Sequence, residues 1–82
     1  MDPEQRKDIR NIIAQILEVE PDQVTPEARF TEDLEADSVA VLELISELEN
    51  RYGIRVEAEQ LPRIATFSQV IRLIDELKPH EQ

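Results

Sequence analysis

The stretch Glu32-Asp33-Leu34-Glu35-Ala36-Asp37-Ser38-Val39 and the helical pattern that follows it over residues 40–52 decide how the rest of the chain is arranged. The stretch places a serine where an acidic loop becomes a helix. Asp37 lies directly before Ser38, where its carboxylate can accept hydrogen bonds from the free backbone N–H groups of the first helical turn. We therefore expect the Ser38 hydroxyl to face solvent at the start of a helix.

Ser38 lacks the neighbours that a catalytic serine requires. A nucleophilic serine needs a base that accepts its proton and a third group that orients the base. The one histidine, His80, lies in a polar tail after Pro79, and neither cysteine nor lysine lies near Ser38 in the sequence. The sequence thus predicts no catalytic residue and no enzyme activity. By spacing alone, Asp37 and Ser38 could simply cap a helix, which is a common role for these residue types.

The composition indicates one small helical domain. The 82 residues include one glycine, five prolines and 4% aromatic residues, and the apolar residues are mostly aliphatic. This composition favours helices packed through aliphatic side chains over a β-sandwich, which would need more turn glycines. We expect a single domain over residues 1–82, with a core over about 3–77 and a flexible tail over 78–82.

The charge and the missing cysteines argue against several classes of function. Nineteen acidic and nine basic residues give a net charge of −10, which makes nucleic acid or an anionic membrane surface an improbable partner. Without cysteine, neither a disulfide nor a thiolate metal site can form, and no metal site is predicted. No apolar run is long enough to span a bilayer. We expect a cytoplasmic monomer whose partners present basic protein surfaces.

The first amphipathic helix is predicted to begin at Asp2-Pro3, an N-cap followed by a proline at the first helical position, and to run to about Val19. Its apolar stripe consists of Ile9, Ile12, Ile13, Ile16 and Leu17. A long loop over residues 20–37 follows, because Pro21 and Pro26 break any helix. We expect three apolar side chains to anchor this loop to the core: Val24, Phe30 and Leu34.

The second helix is predicted from Ser38 to about Arg51, where Gly53 can supply the left-handed conformation that ends helices. At about 100° per residue, its buried side consists of Val41, Leu44, Ile45, Leu48 and Tyr52. Seven acidic residues and one basic residue lie between positions 31 and 52. We therefore predict a small acidic docking surface with an apolar centre, formed by Asp37, Val39, Leu42, Glu43, Ser46 and Glu49.

The remainder of the chain is predicted to add one short helix and one long helix. Residues 54–57 alternate like a strand but have no second strand to pair with, so we expect an extended loop. Residues 58–61 should form a short helical turn before Pro62. The sequence Thr66-Phe67-Ser68-Gln69 has the form of a capping box, and apolar residues at helical spacing then predict a third helix over Phe67–Leu77.

The chain resembles the acyl carrier protein family, through Asp33-Leu34-Glu35-Ala36-Asp37-Ser38-Val39, Leu42-Glu43-Leu44 and Leu48-Glu49-Asn50-Arg51-Tyr52-Gly53-Ile54. The resemblance runs from about Ile9 to Leu77 and includes Phe30, Ile54-Arg55-Val56 and Ile64-Ala65-Thr66. It implies an all-α, four-helix bundle with three long helices, one short helix and a long first loop.

In the acyl carrier protein family the serine carries 4'-phosphopantetheine. The resemblance therefore implies that a phosphopantetheinyl transferase attaches this cofactor covalently to Ser38, and that acyl groups are carried as thioesters on its thiol. The implied partners are acyl-transfer, synthase or ligase enzymes of fatty-acid, polyketide or related pathways, with basic docking surfaces. An aminoacyl or peptidyl carrier, or an acidic helical interaction module that is never modified, remain the alternatives.

Two positions depart from the family pattern. Glu35 stands where the family usually has glycine, and Ala40 stands where many members have an acidic residue two positions after the serine. Ala40 removes one charge that partner enzymes of those members could read. Glycine reaches positive φ freely and glutamate does not. Since the one glycine of the chain is used at Gly53, we expect Glu35 to have a negative φ.

Overall fold

Three long α-helices and a short 3₁₀ helix form the bundle in the computed structural model, which describes residues 2–77. The long helices are α1 (Pro3–Leu17), α2 (Ser38–Tyr52) and α3 (Phe67–Leu77), and the short helix is Ala58–Arg63. A 3₁₀ turn at Pro21–Gln23 lies in the long first loop and was not predicted. None of the described helices is long and apolar enough to cross a membrane. The predicted four-helix architecture is confirmed.

Helix α1 begins as its sequence predicts and ends two residues earlier than expected. The Asp2 carboxylate accepts a hydrogen bond from the Gln5 N–H at 2.9 Å and caps the first turn. The predicted end at Val19 is wrong because Glu18 adopts the left-handed conformation, with a φ of 60°. The N–H groups of Glu18 and Val19 then both donate to the Ala14 carbonyl, which closes the last turn of the helix.

The core is mostly aliphatic and contains both phenylalanines of the chain. Helix α1 packs against α2 and α3, and the predicted apolar sides of the three helices face inward. Each side chain that is fully buried in such a core contributes about 1.5–3 kcal/mol to folding. The largest of them are Phe30, Phe67, Ile9, Ile13, Leu44, Ile74, Val24 and Val70. Five residues of the predicted sides are only half-buried at the edge of the core: Ile16, Leu17, Val41, Tyr52 and Leu77.

The long first loop is fixed to the segment that leads into α3. Its three predicted apolar anchors are all buried: Val24, Phe30 and Leu34. Two backbone hydrogen bonds add to this burial, because the Phe30 N–H donates to the Ala65 carbonyl at 2.9 Å and the Ser68 N–H donates to the Pro26 carbonyl at 3.0 Å. The loop is thus held at both its side chains and its backbone, although it has almost no regular structure.

Residues 54–57 form neither a helix nor a strand, in agreement with the predicted loop, and Glu57 has an extended backbone. The short helix continues to Arg63, so the prediction that it ends before Pro62 is wrong. Proline has the backbone φ that a 3₁₀ helix requires, and in so short an element its missing N–H removes a single hydrogen bond. The helix can therefore pass through Pro62 at little cost.

Helix α3 begins and ends where its sequence predicts. The Gln69 N–H donates to the Thr66 hydroxyl at 3.2 Å, and the Thr66 N–H donates to the Gln69 side-chain oxygen at the same distance. This reciprocal pair is the predicted capping box. The predicted flexible tail, residues 78–82, lies outside the described residues.

Tyr52, at the end of α2, is the one tyrosine of the chain and is half-buried. Burial raises the pKa of its phenol above the ordinary value of about 10, and the Asp8 carboxylate of α1 raises it further. The Arg51 guanidinium opposes this shift. The folded state therefore favours the neutral phenol. The stability that this preference contributes is fully present below a pH of about 10, the pKa of the unfolded chain. It is lost as the pH rises through the higher pKa of Tyr52 in the folded protein.

Ultraviolet titration of Tyr52 tests this shift directly, because the chain has no tryptophan. We expect the ionisation midpoint of the folded protein to lie above that of the protein unfolded in urea. Asp8→Asn should reduce the difference, since it removes the nearby carboxylate. Asp22→Asn, the same charge change in the first loop, is the matched control and should leave the midpoint unchanged. Equal midpoints in the folded and unfolded protein would contradict the burial of the phenol.

Candidate functional site

Asp33 organises the part of the loop that leads to Ser38. Its Oδ2 atom accepts a hydrogen bond from the Arg29 N–H at 2.9 Å, while the Arg29 carbonyl accepts one from the Asp33 N–H at 2.8 Å. The Ala36 N–H then donates to the Phe30 carbonyl at 2.8 Å. These hydrogen bonds fold the loop around the buried Phe30 side chain. They hold the residues just before Ser38 in one position.

Glu35 lies in the left-handed region, with a φ of 58°, so the expectation of a negative φ is wrong. Leu34 before it is buried, and Ala36 after it must turn its N–H toward the Phe30 carbonyl. A residue other than glycine in this conformation is strained, by an amount on the order of 1 kcal/mol. This loop thus stores backbone strain just before α2.

Ser38 is the first residue of α2, and it is exposed. Asp37 caps the helix as predicted, since its Oδ1 atom accepts a hydrogen bond from the Ala40 N–H at 2.9 Å. The Ser38 hydroxyl is not needed for capping and forms no hydrogen bond with any residue in the range 2–77. The hydroxyl is therefore accessible from solvent. A negatively charged group on this hydroxyl would be favoured by the helix dipole by about 0.3–1 kcal/mol.

An apolar groove of about 370 Å³ opens beside Ser38, between α2 and the short helix. Its walls are formed by Phe30, Thr31, Ser38, Val41, Leu42, Ile45, Leu61, Pro62, Ile64 and Ala65. Sequence reasoning missed the contributions of Thr31, Leu61 and Pro62, because no local pattern shows that the short helix forms the wall of a groove opposite α2. A groove of this kind can shelter a hydrocarbon chain that is attached near Ser38.

Five of the six predicted docking residues are exposed at the start of α2 and along one side of it. We call this group the docking face: Asp37, Val39, Leu42, Glu43 and Ser46. Val39 and Leu42 expose 64% and 54% of their surface and form an apolar centre among polar neighbours. Glu49 differs, because it is half-buried and its Oε2 atom accepts a hydrogen bond from the Val56 N–H at 2.8 Å.

Comparisons with known proteins agree with this geometry. Residues 7–74 match the family described as "Phosphopantetheine attachment site". Acyl carrier proteins from Helicobacter pylori strains G27 and HPAG1 are each 43% identical over 72 residues, which is 88% of this chain and 92% of the relative. A solved structure of the acyl carrier protein from Enterococcus faecalis superposes with a TM-score of 0.79 at 30% identity and covers 95% of this chain and 100% of that chain.

The chain therefore belongs to the acyl carrier protein family, whose members are carriers rather than catalysts. Its cofactor is 4'-phosphopantetheine, which this family holds covalently. The residues around Ser38 fit such a group, because they offer a free hydroxyl, the positive end of a helix dipole and an apolar groove within one small region. The predictions of family, cofactor and lack of enzyme activity are confirmed.

The strain at Glu35 predicts that Glu35→Gly stabilises the fold, by up to about 0.5 kcal/mol after the greater freedom of glycine in the unfolded chain is counted. Urea unfolding measures this change. Glu18→Gly tests the same change at the second glutamate with a positive φ and should also stabilise. Glu27→Gly is the matched control, since Glu27 is exposed and does not have a positive φ, and it should destabilise. Destabilisation by Glu35→Gly as large as that by Glu27→Gly would contradict the strain.

Proposed function

We propose that the Ser38 hydroxyl is the attachment point of 4'-phosphopantetheine and that the chain carries acyl groups as thioesters on the thiol of this cofactor. The observation that carries the proposal is the position of the hydroxyl, which is exposed and unbonded at the mouth of an apolar groove. Because the chain has no cysteine, the cofactor must supply the thiol. The groove supports an acyl cargo, since its lining is almost entirely apolar.

Attachment is a phosphoryl-type transfer in which this chain is the substrate. The Ser38 oxygen forms a bond to the phosphorus that carries the pantetheine in coenzyme A, and the bond from that phosphorus to the adenosine part breaks. The serine proton passes to a base of the phosphopantetheinyl transferase, and adenosine 3',5'-bisphosphate leaves. The carrier supplies no base of its own. Its contribution is to hold the hydroxyl in the open at the start of α2, with capping left to Asp37.

The docking face supports partner enzymes with basic surfaces, namely the transferase and then acyl-transfer, synthase or ligase enzymes. Several carboxylates between residues 31 and 52 are already in use: Glu32 pairs with Arg29, Glu47 pairs with Arg51, and Asp33 accepts a backbone hydrogen bond. Glu43 is exposed and forms no ion pair within the described residues. Within the docking face, it is therefore a carboxylate that is available to attract a basic partner. We propose that the chain does this work as a cytoplasmic monomer.

Ser38→Ala should fold normally and accept no phosphopantetheine, because it removes the attachment oxygen and leaves the Asp37 cap in place. Intact-mass measurement after incubation with coenzyme A and a phosphopantetheinyl transferase gives the result, and circular dichroism reports the fold. Ser46→Ala removes a hydroxyl from the docking face of the same helix and is the matched control, which should still be loaded. Loading of Ser38→Ala would refute the assignment. A wild-type chain that is never loaded would favour an unmodified interaction module.

Glu43→Gln should lower the loading efficiency, kcat/KM, by roughly two- to fivefold at low salt, since exposed charges act mainly on the rate of encounter. The difference from wild type should shrink as salt is added, because the Debye length falls to about 10 Å at 0.1 M. Glu27→Gln makes the same charge change outside the docking face and should have a smaller effect. If both variants lost the same activity at every salt concentration, the net charge rather than the docking face would control association.

A further inference from the structure

Glu49 accepts hydrogen bonds from three backbone N–H groups of the chain that follows α2. Its carbonyl accepts from the Gly53 N–H and, at 3.3 Å, from the Ile54 N–H. Its carboxylate accepts from the Val56 N–H at 2.8 Å, in a partly buried position. A hydrogen bond between a backbone N–H and a carboxylate is stronger than one between neutral groups. This one residue of α2 therefore holds the extended segment 54–57 against the helix.

None of the residues of the short helix is buried, so burial of its own side chains does little to hold it in place. It is held at its two ends. At the first end, the Glu57 cap follows directly after Val56, which is bound to Glu49. At the second end, the Arg63 guanidinium binds both carboxylate oxygens of Glu76 on α3, at 3.0 and 3.1 Å. Loss of the first attachment would leave the short helix, which is one wall of the groove, held at its second end.

Two apolar spaces meet behind this wall. The outer one is the groove of about 370 Å³ that contains Ser38, and the inner one is a void of about 10 Å³ in the core. Ile45 and Ile64 line both spaces and so form the partition between them. Ile45 belongs to α2, whereas Ile64 directly follows the short helix. The inner void is about the size of one water-sized probe and is too small for further methylene groups as it stands. A shift of the short helix would move one side of the partition and enlarge this void.

We propose that Glu49 is a positioning residue that keeps this partition closed and thereby limits the length of the acyl chain that the groove shelters. The inference rests on the proposed attachment of the acyl arm at Ser38. With the bond from Val56 to Glu49 in place, the groove takes a short chain and excludes it from the core. Without this bond, the partition moves and the groove accepts a longer acyl chain. Glu49 thus acts on cargo length, whereas Glu43 acts on partner encounter.

Amide hydrogen exchange on the unloaded chain tests the attachment by itself. We expect the Val56 amide to exchange roughly tenfold faster in Glu49→Ala than in wild type, since its acceptor is removed. Glu49→Gln retains an acceptor oxygen and should restore most of the protection. Glu47→Ala removes the same charge from the same helix and should leave Val56 unchanged. Equal exchange at Val56 in all four proteins would overturn the proposal at this first step.

The second measurement concerns cargo length. Each protein is loaded with butanoyl, octanoyl and dodecanoyl phosphopantetheine, and the rate at which hydroxylamine cleaves each thioester reports how well the chain is sheltered. We expect Glu49→Ala to shelter the dodecanoyl chain several-fold better than wild type does, while Glu49→Gln and Glu47→Ala keep the wild-type profile. Ile64→Val makes the partition smaller and leaves Glu49 unchanged, so it should also improve the shelter of the dodecanoyl chain. This variant tests the proposal even if Glu49→Ala folds poorly.

The experiments distinguish failure of the length limit set by Glu49 from failure of the proposed attachment at Ser38. An unchanged length profile in Glu49→Ala and Ile64→Val, despite faster exchange at Val56, would reduce Glu49 to a structural contact and overturn the proposal. A wild-type chain that accepts no phosphopantetheine, seen by intact mass before any acyl group is tested, would refute the proposed function and the length limit with it. The exchange of the Val56 amide would then still report whether Glu49 holds the segment.

Discussion

The position of Phe30 is the constraint on which the rest of the structure depends. Its ring is 1% exposed, its N–H donates to the Ala65 carbonyl and its carbonyl accepts from the Ala36 N–H. One residue in the middle of a long loop is thus fixed to the core, to the approach to α3 and to the residues just before Ser38. Because Phe30 also forms part of the groove wall, the same contact that places the serine shapes the space beside it.

The roles of the acidic residues differ according to which donors each carboxylate contacts. Asp37, Asp33 and Glu49 accept backbone N–H groups and hold a helix start, a loop and a segment in place. Glu43 reaches no such donor within residues 2–77 and so remains available to solvent and to other proteins. A high negative charge is tolerated in the compact state partly because some of the charges satisfy backbone donors that would otherwise lack partners.

Local features could be predicted from the sequence because their causes lie within a few residues. The capping box of Thr66 and Gln69, the Asp37 cap and the left-handed Gly53 all depend on neighbours within one helical turn. Glu35 shows where this reasoning fails. Composition suggested that a chain with one glycine avoids a second positive φ, but the hydrogen bond from Ala36 to Phe30 and the burial of Leu34 on either side outweigh the strain.

The sequence by itself determined the three long helices and their buried sides, the class of carrier, and the serine exposed at the start of α2. Periodicity, capping residues and motif spacing are all properties of the chain read in order, so they need no tertiary structure. Only the tertiary structure decided that a groove opens between α2 and the short helix, and that the Glu49 carboxylate accepts a hydrogen bond from the Val56 N–H. These features arise where segments distant in sequence meet. Their geometry follows from how the whole core packs, which no local pattern records.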